Sequence, residues 1–172
     1  MVAFGRGAVV SGGWFHGGMA RTTVAVERRI AAGQGTVWES LTDLRGMADV
    51  LSGVTRVEVL TDGAFGVGTR WRETRRMFGK EATEEMWVTL CEPPQRYVVE
   101  ARSHGTHYIS EWLVRADGPS DTTVRMTFTG VTSGAVAGVL AKLLGSIGTR
   151  AVSKAIAKDL EDIATAVESR AR

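Results

Sequence analysis

The chain is 172 residues long, 44% hydrophobic and 23% charged, with a formal net charge of +2. That is enough for one domain with a buried core, and the balance is that of an ordinary globular protein. No apolar run reaches the roughly 18 residues of a membrane-spanning helix, so membrane insertion is not expected. The slight charge argues against a nucleic-acid partner, although four arginines lie between Arg70 and Arg76.

In chain order, residues 1–21 are glycine-rich, without alternation or helical period. They are expected to form a flexible extension outside the fold, or to precede a true start at Met19. The domain is taken as residues 22–172. "TTVAVERRIAA" alternates, with Val24, Val26 and Ile30 on one face, and predicts a strand. "GQGTVWESLTDL" spaces Val37, Trp38 and Leu41 for one face of a short helix ended by Gly46, and "GMADVLSG" predicts a second. Strands follow in "VTRVEVLTDG", Thr69 to Phe78, Glu81 to Glu92, Arg96 to Ser103, His107 to Ala116 and "TTVRMTFTG". From Ala135 onward the pattern is helical, with a slip of the apolar stripe at Gly145 and Gly148 that predicts a kink. Successive antiparallel hairpins cannot bury their inner face alone, and the long helix is the available cover. The fold class is therefore α+β: a curved seven-stranded antiparallel sheet wrapped around a C-terminal helix, with two short helices after the first strand.

The inner face follows from turn arithmetic. A two- or four-residue loop around Gly79-Lys80 pairs Met77 with Ala82, Arg75 with Glu84, Glu73 with Met86 and Trp71 with Val88. Those residues and Leu90 form the more apolar face, whereas Arg70, Arg72, Arg76 and Trp87 face outward. A three-residue loop would set apolar residues opposite polar ones. The hairpin at Gly105-Thr106 groups Tyr97, Val99, Ala101, Ser103, Tyr108, Ser110, Trp112 and Val114. Across "ADGPSD", Val114 meets Val124 and Trp112 meets Met126, which adds Phe128. The inner surface is thus aromatic and aliphatic, apart from Glu73, Arg75, Glu84, a few hydroxyls and Arg28. Arg75 opposite Glu84, about 5 Å away at Cβ, suits a salt bridge. Two readings remain open for it: a wet rim pair contributing about 0–1 kcal/mol, or the polar end of an apolar cavity.

Cys91 is the single cysteine, so no internal disulfide can form, and a reducing cytoplasm is the simplest compartment. No histidine stands in a diagnostic position to make it a nucleophile. His104 and His107 flank a turn, but no further ligand completes a metal site, and no metal or other cofactor is expected.

Three stretches carry a family resemblance. "VERRIAAGQGTVWESLTDL" looks like the first strand and helix, "GVGTRWRETRRMFGKEATEEMWVT" the third and fourth strands, and "KDLEDIATAVE" the end of the last helix of the START-like, or helix-grip, superfamily. This is the polyketide cyclase/dehydrase and lipid-transport group (SRPBCC), and the resemblance runs from about Thr22 to Arg170. Where many relatives have Ala-Pro before the first helix, this chain has Ala32-Gly33. The resemblance implies a hydrophobic cavity between sheet and long helix, closed at one end by the short helices. It carries over no catalytic residue.

The leading expectation is a binder or carrier of a small hydrophobic molecule. Its ligand-binding residues would be Trp71, Glu73, Arg75, Met77, Glu84, Met86, Tyr97, Val99, Tyr108, Ser110, Trp112, Met126, Phe128, Leu144 and Ile147, with Arg75 pairing a ligand carboxylate, phosphate or enolate. The alternative is a cyclase or dehydratase using Glu73 or Glu84 as base, with Arg75 and Tyr108 as stabilisers. A third reading is a protein-interaction module that uses the outward Arg70, Arg72, Arg76 and Trp87, its partner unspecified.

Overall fold

The computed structural model describes residues 9–15, 19–77, 79–103, 105–133 and 146–170, with side chains from Arg21 onward except at residues 77, 133, 146 and 147. The strands are β1 (Val9–Phe15), β2 (Met19–Ile30), β3 (Val54–Val59), β4 (Arg70–Met77), β5 (Lys80–Glu92), β6 (Arg96–Ser103), β7 (Thr106–Gly118) and β8 (Asp121–Ser133). The helices α1 (Gln34–Thr42) and α2 (Met47–Val50) join β2 to β3, and α3 (Ser146–Arg170) closes the chain. All strands pair antiparallel in one open sheet of order β1-β2-β8-β7-β6-β5-β4-β3. This is the expected α+β helix-grip arrangement, with the seven expected strands and one more at an edge. The addition is β1, which pairs with β2 from Val9↔Ala25 to Phe15↔Met19. Residues 9–15 therefore belong to the sheet, whereas the sequence pattern set all of residues 1–21 apart. Glycines at 12 and 13 hide the alternation that marks a strand.

Alternation places the core. Val24, Val26 and Ile30 on β2, Val88 on β5, Tyr97 and Val99 on β6, and Val114 and Val124 on β7 and β8 are all buried. Against them α3 sets Ile156, Leu160, Ile163, Ala164 and Val167, an i, i+4, i+7 stripe at the helical period. Polar contacts clasp the same helix. Arg28, facing inward as expected, pairs with Glu161. The backbone N–H of Ala31 donates to Glu168 Oε1 at 3.0 Å, and Ser52 donates its N–H and hydroxyl to Asp162 Oδ2 at 2.9 and 2.7 Å.

Two expectations shift in detail. The β4–β5 turn closes before Lys80 rather than around Gly79-Lys80, so Met77 pairs with Lys80, Arg75 with Ala82 and Glu73 with Glu84. Gly79 has φ +75°, a left-handed conformation that glycine adopts without a Cβ penalty, and it occupies this turn. A slip of two keeps every side chain on its face but changes its partner. Further along, a bulge between Val88 and Leu90 brings Cys91 opposite Tyr97 and Leu90 opposite Val98, so Leu90 leaves the inner face. α1 ends at Thr42, and Gly46 begins α2 instead, where an added Cβ would crowd the Asp43 carboxylate. Gly148 lies within α3 and does not interrupt it, while Ala135 to Gly145 fall outside the described residues.

The clamp of α3 on the sheet has a direct test. Leu160 is fully buried, and Leu160→Ala should lower stability in urea unfolding by about 3 kcal/mol. Leu113→Ala, at an outward position 37% exposed, should cost less than about 1 kcal/mol. Equal losses would mean that α3 is not packed as described.

Candidate functional site

Between the curved sheet and α3 lies a cavity of about 220 Å³. The sheet supplies Trp71, Met86, Tyr97, Val99, Ser110, Trp112, Met126 and Phe128; α3 supplies Val152, Ile156 and Ile163; and α1, α2 and the adjoining turns supply Leu41, Leu44, Met47 and Leu51. Alternation on the strands and the helical stripe on α3 aim these side chains at one space. The two short helices contribute one part of the wall, as the resemblance implied.

The aromatic side chains are organised around Tyr97. Its ring stacks on Trp112 (5.8 Å, 11°) and meets Trp38 and Phe65 edge-on at 5.6 and 5.2 Å. Its hydroxyl donates to the Leu41 carbonyl at 3.5 Å. Burial, reinforced by the charge of Glu73, pushes the Tyr97 phenol well above its ordinary value, so it stays neutral.

Among the described residues, one cationic group stands in this apolar wall. The Arg75 guanidinium donates from Nε to Glu73 Oε1, beside it on β4, and from Nη1 to Asp159 Oδ2 on α3 at 2.8 Å. Glu73 is 4% exposed, and its other oxygen lies 3.5 Å from Trp71 Nε1. Burial opposes the charge on Arg75, but the two carboxylates outweigh it and hold its pKa above the ordinary value. For Asp159 the balance goes the other way: desolvation raises its pKa, and the attraction of Arg75 recovers only part of that. Glu73 and Asp162 add repulsion in the same direction.

Of the residues singled out from sequence, Trp71, Glu73, Arg75, Met86, Tyr97, Val99, Ser110, Trp112, Met126 and Phe128 surround the cavity. Glu84 does not: it stands opposite Glu73 in the register and is not the partner of Arg75. Tyr108 stacks on Phe128 at 5.5 Å and is not part of the wall either. Leu144 lies outside the described residues, as do the side chains of Met77 and Ile147. Sequence reasoning missed Asp159 and Phe65. Asp159 carried a signal, since it follows Ile156 by three residues and precedes Ile163 by four, which puts a carboxylate on the apolar stripe. Phe65 is a lone aromatic in a glycine-rich turn, with no period to reveal it.

The other candidates resolve more simply. Burial raises the Cys91 thiol, which makes it a weak nucleophile at neutral pH. His107 Nε2 lies 2.6 Å from Glu100, His104 is outside the described residues, and no group of three metal-ligating side chains occurs among those described. On the outer face, Arg70 pairs with Glu85 and lies over Trp87 (5.7 Å), Arg72 pairs with Glu58 and Glu85, and Arg76 pairs with Glu81. No described helix is long and apolar enough to cross a membrane.

Comparison with known proteins places this geometry. The family model for polyketide cyclase/dehydrase and lipid transport matches residues 21–168. No curated protein matches the chain. Among solved structures, the Zhui aromatase/cyclase from Streptomyces sp. R1128 is similar with a TM-score of 0.75 and 20% identity, over 88% of this chain and 96% of that one. The protein TTHA0849 from Thermus thermophilus is similar with a TM-score of 0.70 and 22% identity, over 87% and 99%. A truncated norcoclaurine synthase from Thalictrum flavum gives 0.69 and 16%, over 90% and 98%.

The triad makes a stability prediction. Arg75→Met leaves two buried carboxylates uncompensated and should cost about 3 kcal/mol at neutral pH. Without the guanidinium, burial and Glu73 raise Asp159 further above its unfolded value. A carboxyl raised in this way favours the fold while protonated, and that contribution is lost as pH rises through its folded value. The deficit of the variant should therefore be largest at neutral pH and shrink as pH falls towards about 4, the ordinary carboxylate range. Urea unfolding across that range would show it, and a pH-independent deficit would contradict it.

Proposed function

The chain belongs to the polyketide cyclase/dehydrase and lipid transport family, a membership that supports a ligand-binding or cyclase role, and on that premise we propose that it binds a small hydrophobic molecule between the sheet and α3. The observation that carries this reading is the cavity of about 220 Å³, mostly apolar and, among the described residues, charged at one place. Pockets that hold small molecules combine an apolar wall with a few convergent polar groups that fix orientation. Burying ligand surface against Trp112, Phe128 and Met126 supplies the affinity, at about 25 cal/mol per Å² of apolar surface removed from water. The Glu73–Arg75–Asp159 cluster supplies the orientation.

The cyclase or dehydratase reading finds less support. Of its four residues, Glu84 and Tyr108 lie off the cavity wall, and Glu73 and Arg75 are already bonded to each other.

Native mass spectrometry of the purified protein, followed by organic extraction, tests the binding reading. A stoichiometric apolar compound is the expected result. Ser110 lies on the wall between Val99 and Phe128, and Ser110→Trp should fill the space and cut ligand occupancy about tenfold. A protein that carries nothing and takes up no apolar probe would overturn the proposal.

A further inference from the structure

The charge balance of the cavity wall goes beyond its apolar character. Two carboxylates, Glu73 and Asp159, face one guanidinium, Arg75, and among the described residues the wall carries no other charged side chain. Arg75 takes one oxygen of each carboxylate, Oε1 of Glu73 and Oδ2 of Asp159, so each acid keeps a second oxygen. The second oxygen of Glu73 has only a long contact, 3.5 Å, from the Trp71 indole. The polar end of the cavity thus carries surplus negative charge in surroundings that screen it poorly.

We propose that the cavity selects an apolar molecule bearing a protonated amine, which lies against Glu73 and Asp159 and completes their pairing, and that it discriminates against carboxylates and phosphates. This inference rests on the binding reading and names the ligand class for the same cavity. It reverses the sequence expectation that Arg75 pairs with an anionic ligand. An anion reaching the remaining donors of Arg75 would bring a third negative charge beside Glu73 and Asp159 with one guanidinium to balance all three, a costly arrangement. An ammonium adds the missing positive charge and displaces nothing.

The groups that face Asp159 agree with this. Arg75 and Glu73 approach it from β4, and Asp162 lies on its own helix, paired with Lys158. Burial raises the Asp159 carboxyl above its ordinary value, with Arg75 recovering part of that, so a proton competes with a bound cation as pH falls. A bound cation takes the place of that proton, so amine affinity rises with pH as Asp159 deprotonates, until the amine itself loses its charge.

Calorimetric titration of the full chain with naphthylmethylamine, naphthylmethanol and naphthoate separates the claims, because the three share one ring system and differ in charge. The expected order is amine, then alcohol, then acid, with the amine on the order of tenfold tighter than the alcohol at neutral pH. Asp159→Asn should bring the amine down to the affinity the wild-type protein shows for the alcohol, with a thermal melt to establish that the variant is folded. If that variant does not fold, Glu73→Gln removes the same charge from the other flank and should give the same loss. Alcohol binding with an amine no tighter, or with an acid tighter than both, would overturn the charge inference and leave the binding reading standing. Failure of all three to bind would overturn both.

Discussion

Everything at the site depends on the Arg75 guanidinium being held between Glu73 of β4 and Asp159 of α3. Glu73 and Asp159 are only 4% and 8% exposed, and two carboxylates at that depth repel each other and are poorly solvated. The guanidinium between them is what allows both to remain there. Because one acid comes from the sheet and the other from the helix, the same contact also sets how α3 lies across the sheet. A buried ion group is weak evidence for added stability, since apolar residues of the same shape would often do as well. Its value here is geometric. It fixes a charged point on a wall that is otherwise mostly apolar.

The helix that carries Asp159 is clasped along its length rather than only packed. Leu160, Ala164 and Val167 bury completely or almost completely, while Glu161, Asp162 and Glu168 reach sideways to Arg28, Ser52 and the backbone of Ala31. The apolar stripe determines which face turns inward, and the lateral contacts determine its position along the sheet. Ser52 belongs to the turn after α2, so the bond to Asp162 also ties the short helices to α3. Part of the cavity wall is therefore carried by elements anchored to the same helix that lines its other side.

How much of this was legible in the sequence follows from the period of each element. A strand alternates every second residue, so faces were recoverable even where partners were not. The slip of two at the Gly79 turn left Trp71, Glu73 and Arg75 pointing inward while replacing Glu84 with Ala82 opposite Arg75. Alternation fails where the backbone departs from its period, as at the Val88/Leu90 bulge, which exchanged Leu90 for Cys91. β1 was not legible, because Gly12 and Gly13 offer no side chains to alternate. Asp159 was legible in principle, since a carboxylate at a core-facing helical position needs a cation, and Arg75 on the inner face of β4 had no confirmed partner until the register was known. Each half of the ion group pointed to the other across 84 residues.

A shared fold does not extend to a shared ligand. At 16–22% identity, the structural relatives establish the sheet and its helix, while the wall residues are free to differ. An aromatic wall attracts apolar molecules of many kinds, because dispersion and area burial are indifferent to what the rest of the ligand carries. Discrimination has to come from the few positions where a mismatched ligand leaves a charge unpaired. On the binding reading proposed above, those positions in this protein are Glu73, Arg75 and Asp159. Their sum is what separates this cavity from one of the same shape lined by neutral residues. Since Asp159 lies on α3 and Glu73 on β4, a ligand that satisfies both acids also strengthens the join between helix and sheet, so binding and stability are linked at one contact.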